Sequence, residues 1–238
     1  MTPVHGIITE NKAHFSGGKG VDKALLKKTT LFQGLETDDM AAALSFFDAR
    51  ESVYEKGDMV KPILSPFTRF GLVLEGRVQV FTDDLSGNQM MMAHVEKGGM
   101  FGESLSYLQK EEAVYVMAAS PCRILWLHPE NVRKLQPGTP LEALLIHRFI
   151  ANLCTRALQM NDRIQILSKL TLEEKLKAFF SFCQKRQGMC FTSPFSRTEL
   201  AAYLGANRSA LSRTLSRMQK SGLLSCEGKR FTLHQPLE

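Results

Sequence analysis

Long apolar runs, paired cysteines and histidine clusters are all missing from this 238-residue chain, and each absence excludes a class of protein. No apolar stretch approaches the roughly 18 residues of a membrane-spanning helix. The first 20 residues hold Lys12 and Lys19 but no apolar segment, so we expect no secretory signal peptide. The 5 cysteines are scattered and form no CxxC pair, which predicts reduced thiols in a cytoplasmic protein.

What remains is an ordinary globular composition with an uneven distribution of charge. Hydrophobic residues make up 44% of the chain, charged residues make up 23%, and the formal net charge is +6. Residues 169–238 carry 12 Lys and Arg against 5 Asp and Glu, whereas residues 1–168 carry 18 against 19. A basic domain joined to a neutral one indicates that the basic domain binds nucleic acid.

Turn signals divide residues 50–128 into short apolar stretches, a pattern typical of an antiparallel β-roll or jelly roll. The predicted strands are Leu72–Leu74, Val78–Phe81, Met90–Val95, Val114–Met117 and Ile124–Leu127. Before them we predict a flexible tail over residues 1–20 and two short helices, the second capped by Thr37. The predicted effector or sensor domain therefore spans residues 21–138 of an α+β protein.

Residues 139–168 follow a heptad pattern that predicts a long dimerisation helix. Every position of the predicted seam is apolar: Ala143, Ile146, Ile150, Leu153, Ala157, Met160, Ile164 and Leu167. A second apolar stripe suits packing on the roll: Leu141, Leu145, Phe149 and Leu158. The alternative is a helix that lies only on its own sheet. Two stripes favour both contacts, one with the roll and one with a second copy of the chain.

Two capping boxes mark helix starts in residues 169–238, which we predict to be a winged helix-turn-helix domain. Thr171 and Glu174 form the first box, and the helix it opens is expected to end near Gly188. Ser196 and Glu199 form the second box. Residues 222–233 are predicted to be a β-hairpin, which supplies the wing.

The second box opens the predicted helix-turn-helix. A short helix over Thr198–Leu204 is followed by Gly205 at the turn, and Asn207 caps the next helix. Leu211 and Leu215 anchor that helix on the core side. Its outer face carries only basic and small hydroxyl side chains: Arg208, Ser209, Ser212, Arg213 and Ser216. The alternative is a generic three-helix core with a solvated basic face, but the charge excess and the placed glycine favour DNA binding.

Over residues 21–235 the chain resembles the Crp/Fnr family of bacterial transcription regulators. The most specific similarity lies in SRTELAAYLGANRSALSRTLSRMQKSGLL, with further similarity in LFQGL, GLVLEGRVQVF and GGMFGES. The resemblance implies a cyclic-nucleotide-binding-type β-roll, a long dimerisation helix and a C-terminal winged helix-turn-helix. It also implies a homodimer on a near-palindromic DNA site, with recognition helices about 34 Å apart, and RNA polymerase as a further partner.

The resemblance also assigns DNA contacts to particular positions. Residues that would read bases are Arg208, Ser209, Ser212 and Arg213. Residues that would touch phosphates are Ser196, Arg197 and Thr198. Asn207 and Ser216 complete the predicted DNA-binding surface. Arginine at the start of a recognition helix suits a bidentate contact with guanine in the major groove.

An effector pocket in the roll is implied too, with a predicted lining of Phe101, Gly102, Glu103, Ser104, Glu112, Ala113, Asn161 and Asp162. Relatives that bind cyclic AMP carry Gly-Glu and then an Arg-Ser/Thr pair. Here Gly102-Glu103 is present, but Glu112-Ala113 stands where the pair belongs. Burying a cyclic phosphate beside Glu112 without a cation would be unfavourable by several kcal/mol. We therefore expect a small effector other than cyclic AMP, or none.

The sequence contains few residues that could support iron–sulfur, haem or thiol-based sensing. Iron–sulfur sensing in this family needs a cysteine cluster near the N-terminus, whereas the first cysteine is Cys122. Haem sensing would use His94 as the axial ligand, although a lone strand histidine is more often structural. Cys122 and Cys154 are the candidate redox-sensitive thiols, and we favour buried inert thiols at both positions.

The sequence offers little support for two further classes of function. A cupin-like metalloenzyme needs two or three histidines with a carboxylate on its strands, and residues 50–127 contain only His94. We therefore predict no metal site, no cofactor and no catalytic residues. An architectural DNA-binding protein without a sensor would have no use for the 150 or so residues of roll and helix.

Overall fold

The structure is a computed structural model that describes residues 16–17, 23–63, 65–83 and 89–237. The chain divides into two compact units, and the boundary along the chain lies between Leu153 and Cys154. Most of the predicted flexible tail lies outside the described residues. Ser16–Gly17 is an exception, because it forms a short strand that pairs with Arg50 and Glu51. Within the described ranges, no helix combines the length and the apolar character needed to cross a bilayer.

The first unit contains two antiparallel sheets, as expected for a β-roll. One sheet has the order β1 (Ser16–Gly17), β2 (Arg50–Tyr54), β9 (Cys122–Leu127), β4 (Phe70–Glu75) and β7 (Met100–Phe101). The other has the order β3 (Met59–Lys61), β8 (Val114–Ala118), β5 (Arg77–Asp83) and β6 (Gln89–Glu96). The five predicted strands are confirmed, whereas β2, β3 and β7 were not predicted because their apolar stretches are short.

Alternation along the strands divides the buried residues of this unit into two clusters. Side chains of a strand point to opposite faces in turn. Leu72 and Leu125 therefore join a cluster with the flanking helices. Val73 and Ile124, one residue away in each strand, join a second cluster with residues of the other sheet, which we call the interior cluster. Strands β4 and β9 are buried on both faces for this reason.

Five helices accompany these sheets within the described residues: α1 (Lys23–Leu26), α2 (Thr37–Phe46), α3 (Glu103–Leu108), α4 (Glu130–Lys134) and α5 (Pro140–Leu167). The prediction that Thr37 caps the second helix was wrong. Thr37 is the first residue of α2, and Glu36 occupies the cap position without a side-chain cap hydrogen bond. Helix α3 was not predicted, because it is only six residues long.

Helix α5 carries both apolar stripes, but the structure assigns some of their members differently. Leu145 and Phe149 of the second stripe are fully buried on the roll, as expected. Ile146 of the predicted seam also belongs to that buried cluster. Leu158, which was assigned to the roll-facing stripe, is 67% exposed. Leu158 is exposed because it follows Phe149 by nine residues, which at 3.6 residues per turn places it about 180° around the helix, on the side opposite Phe149.

The second unit has the fold expected of a winged helix-turn-helix. Its elements after α5 are α6 (Leu172–Gln187), β10 (Cys190–Thr192), α7 (Arg197–Tyr203), α8 (Arg208–Lys220), β11 (Leu224–Glu227) and β12 (Arg230–Leu233). The strands form a sheet of order β10-β12-β11, to which β10 was not predicted to belong. The buried rings of Phe180 and Phe231 pack against each other at a tilt of 42°, with ring centroids 4.9 Å apart.

Candidate DNA-binding surface and effector site

Local capping places α7 and α8 where the sequence predicts them. The Ser196 side chain accepts a hydrogen bond from the Glu199 amide, and the Glu199 carboxylate accepts one from the Ser196 amide at 2.6 Å. Asn207 accepts from the Ala210 amide at 2.7 Å. Gly205 has φ +65°, a conformation that favours glycine, so it permits the turn between the two helices.

One face of α8 is buried in the domain, and the other is exposed. Its buried residues are Leu211, Thr214, Leu215 and Met218. All five outer-face residues predicted to meet DNA are exposed: Arg208, Ser209, Ser212, Arg213 and Ser216. No bulky apolar side chain interrupts these five positions, so the face suits entry into a major groove.

The basic face extends further than the sequence analysis predicted. An open depression on α8 is lined by Ser212, Arg213, Ser216, Arg217 and Lys220. Arg217 also donates to the Glu173 carboxylate at the start of α6, at 3.1 Å. The signal for Arg217 and Lys220 was available, because they follow Arg213 at intervals of four and three residues on one helix face.

Arg197 makes contacts that its predicted phosphate role did not anticipate. Its guanidinium lies 4.8 Å from the centroid of the Phe231 ring and donates to the Cys226 Sγ at 2.9 Å. It therefore braces the wing strands against the start of α7. Of its two predicted phosphate-binding neighbours, Thr198 is exposed and Ser196 is partly buried as a helix cap.

Four of the predicted effector-site residues form the corner between β7 and α3. Phe101 is buried with its ring 5.4 Å from that of Trp126. Gly102 has φ +79°, and a Cβ at this position would lie 2.6 Å from the Phe67 ring. Glu103 is 4% exposed, whereas Ser104 is exposed. Phe101 and Gly102 therefore have a structural role, since they form the corner itself.

The other four predicted residues are less enclosed. Glu112 and Ala113 are exposed just before β8, and Asn161 is exposed on α5. Asp162 accepts a hydrogen bond from Arg186 of α6 at 3.3 Å, an ion pair within the second unit. Asn161 and Asp162 belong to the second unit, whereas the other six predicted residues belong to the first.

Lys61 is a buried cation of the roll that the sequence analysis missed. It is 9% exposed, and its ammonium lies 4.6 Å from the centroid of the Phe67 ring. Burial lowers the pKa of Lys61 to about 8, although the charge of Glu111 opposes this effect. No sequence pattern predicts the burial of Lys61, because its strand is short and the direction of its side chain depends on a local irregularity in the pairing of β3 with β8.

The candidate sensing thiols and the strand histidine have distinct environments. Cys122 is buried, and burial raises the pKa of its thiol to about 11, so the thiol stays neutral and inert. The expectation of a buried thiol was wrong for Cys154, which is exposed. The His94 side chain is 3% exposed, and its Nε2 lies 3.5 Å from the Glu96 carboxylate.

Fold and site together define a winged helix-turn-helix DNA-binding protein with an N-terminal β-roll of the effector-binding type. Two family models match the chain: the cyclic nucleotide-binding domain over residues 51–136 and the Crp-like helix-turn-helix domain over residues 167–237. Together they cover well over half of the sequence. The chain belongs to the Crp/Fnr family of transcription regulators.

The similar proteins are named for different roles. The Cyclic AMP receptor protein of Thermus thermophilus is 26% identical over 84% of this chain and 89% of its own length. The Global nitrogen regulator of Nostoc sp. is 23% identical over 91% of this chain and 95% of its own. A c-di-GMP responsive global regulator of Xanthomonas campestris has the same fold, with a TM-score of 0.65, 18% identity and coverage of 84% and 100%.

Proposed function

We propose that this chain is a cytoplasmic, homodimeric regulator that binds a near-palindromic DNA site and responds to a small effector other than cyclic AMP. The observation that carries the proposal is the outer face of α8, which exposes arginine and serine side chains and no bulky apolar residue. In this reading Arg208 and Arg213 contact base edges, while Lys220 and Thr198 meet phosphates. RNA polymerase is the further partner through which such a regulator acts on transcription.

Exposed apolar side chains of α5 support the homodimer. Ile150 is 46% exposed, Met160 is 62% exposed and Ile164 is 61% exposed in the single chain. Exposed apolar side chains that recur along one helix are unfavourable in water and mark interaction sites. A second copy of α5, packed in parallel, would cover these residues as knobs in holes. Two recognition helices would then face successive major grooves of one DNA site.

The environment of Glu112 supports an effector other than cyclic AMP. Glu112 and Ala113 are exposed and offer no cation at the position where relatives hold the phosphate. A cyclic-nucleotide-responsive regulator is the alternative favoured by the name of the Thermus thermophilus relative. A haem-responsive regulator is a weaker alternative, since the His94 Nε2 lies close to the Glu96 carboxylate.

A cupin-like metalloenzyme finds no support in the parts of the chain that the structure describes. There, no group of three or more His, Cys, Asp or Glu side chains is arranged to hold a metal ion. The similar proteins are named as receptors and regulators. We therefore propose a regulatory role without catalysis.

The proposal is tested by measuring DNA affinity and stoichiometry together. Genomic fragments retained by the purified protein are titrated at several salt concentrations, and the complex is sized by sedimentation. We expect two protomers per site and binding at least about 10³-fold tighter than to unrelated DNA. One protomer per site, or equal affinity for every fragment, would contradict the proposal.

A further inference from the structure

One turn of helix α5 contacts both α6 and α7. The second compact unit begins at Cys154, so it includes the last part of α5 together with the helix-turn-helix. Within this unit, Arg186 of α6 donates to the Asp162 carboxylate at 3.3 Å. The next residue of α5, Arg163, places its guanidinium 4.9 Å from the centroid of the Tyr203 ring of α7. Two consecutive residues of α5 therefore reach two different helices of the DNA-binding domain.

The Tyr203 ring is held in place because it packs among other rings. It stacks on Phe195 at a centroid distance of 4.6 Å and meets Phe179 edge-on at 5.9 Å. Phe179 and Phe195 are themselves buried in the domain. Burial raises the pKa of Tyr203 and lowers the pKa of Arg163, so both polar groups are partly withdrawn from water. A guanidinium over an aromatic face contributes more in such surroundings than it does at an exposed site.

The same turn of α5 carries apolar side chains of the predicted dimer seam. Met160 and Ile164 are 62% and 61% exposed. At 3.6 residues per turn, Asp162 lies about 200° around the helix from Met160, on the side away from the seam, and Arg163 lies on the flank between them. One turn of α5 therefore joins the surface proposed for the second copy to the contacts with α6 and α7.

We propose that Arg163 is a positioning residue for DNA recognition, which fixes the direction of α8 relative to the dimer seam and so sets the half-site spacing that the protein accepts. This inference rests on the proposed function, because only a homodimer has a half-site spacing. Helix α7 is joined to α8 by the short turn at Gly205, so holding α7 also holds the recognition helix. In a dimer, the orientation of each recognition helix decides how far apart two half-sites must lie.

Competition binding to duplexes that share the selected half-sites but differ in spacing tests this inference. One inserted or deleted base pair shifts a half-site by about 3.4 Å and rotates it by about 35°, so wild-type binding should weaken at least about tenfold. We call this factor the spacing penalty. In Arg163→Met and in Tyr203→Leu it should fall below about threefold, because the cation or the ring is lost. The base preference within each half-site should stay the same.

Conservative variants at the same two positions are the matched controls. Tyr203→Phe keeps an aromatic ring and Arg163→Lys keeps a cation, so both should keep the spacing penalty to within about twofold of the wild-type value. Gln165→Met changes an exposed position of the same helix and should bind as the wild type does.

Two outcomes would overturn the inference: a wild-type spacing penalty in Arg163→Met or Tyr203→Leu, or equal wild-type binding at every spacing. A variant that loses affinity by the same factor at all spacings gives the first outcome, which is what a merely structural role predicts. Should Arg163→Met fail to fold, the contrast between Tyr203→Leu and Tyr203→Phe decides. Binding as a monomer or without sequence preference contradicts the proposed function, whereas a specific dimer with unchanged penalties in the variants contradicts this inference alone.

Discussion

At the scale of single residues, the proposed function depends on which side of α8 each side chain occupies. Leu211 and Leu215 are 0% and 2% exposed, so they hold the helix on its domain. Arg208 and Arg213 lie on the exposed face and contribute nothing to that core. Substituting an arginine should therefore change DNA recognition without changing the fold, and this separation makes the assignment testable.

We predict that Arg208→Ala weakens binding to the specific DNA site by about 1–3 kcal/mol and relaxes the preference at one base pair. Lys220→Ala, at the far end of the same helix, should instead weaken binding to all sequences alike and reduce the salt slope by about one. Fluorescence anisotropy on matched duplexes separates the two effects. An unchanged base preference in Arg208→Ala would contradict the placement of α8 in the major groove.

The thiols provide a residue-scale prediction that is independent of DNA. Arg230 Nε donates to the exposed Cys190 Sγ at 3.3 Å, and this hydrogen bond lowers the pKa of Cys190. Burial raises the pKa of Cys122 and of Cys183 to about 11. A lower pKa means more thiolate near pH 7.5, so iodoacetamide should label Cys190 first and the two buried thiols only on unfolding.

Mass spectrometry of timed samples measures these alkylation rates. Arg230→Gln removes the charged donor and should slow labelling of Cys190, while labelling of the exposed Cys154 serves as the internal reference. Labelling of Cys122 in the folded protein at the rate of Cys190 would show that the environments assigned to these thiols are wrong.

At the scale of elements, helix starts are set by short local signals. Both capping boxes are present with reciprocal hydrogen bonds, at Thr171 with Glu174 and at Ser196 with Glu199. Ser196→Ala should lower the free energy of unfolding by about 0.5–2 kcal/mol, because the Glu199 amide loses its acceptor. Ser209→Ala, at an exposed helical position, should change it by less than about 0.5 kcal/mol. Urea denaturation gives both values, and equal values would argue against the cap.

Introducing negative charge into the exposed apolar stripe of α5 tests whether this stripe is the dimer interface. Met160→Glu with Ile164→Glu would place four carboxylates in one dimer seam, so sedimentation should show monomers and specific DNA binding should fall. Gln159→Glu with Gln165→Glu adds the same charge at exposed positions outside the seam and should leave the dimer intact. A seam variant that remains fully dimeric would exclude this stripe as the interface.

Elements were predictable where one pattern extends over several residues or uses a known local motif. The strands of the roll and the helix-turn-helix meet this condition, because alternation, capping boxes and Gly205 act within a few residues. Ile146 and Lys61 do not. The burial of Ile146 depends on where α5 meets the roll, and the orientation of Lys61 depends on a bulge against β8. Both are consequences of tertiary packing, which no local pattern encodes.

At the scale of the whole molecule, charge and chemistry are divided between the parts of the chain. Residues 169–238 hold all of the positive excess, while the roll holds an apolar interior bordered by Lys61. A basic surface attracts DNA of any sequence, so affinity alone says little about function. A homodimeric regulator must also prefer DNA sequences with inverted symmetry, because its two identical recognition helices read two identical half-sites.

Selection of bound sequences from a random DNA pool therefore tests the central claim most directly. The wild-type protein is expected to enrich an inverted repeat whose half-site centres are about 10 base pairs apart, one helical turn. The seam variant Met160→Glu with Ile164→Glu should lose that enrichment while retaining weak binding to any DNA. Two results with the wild type would contradict the account of a dimeric, sequence-specific regulator: a DNA pool with no enriched sequence motif after several rounds, or a single enriched motif without inverted symmetry.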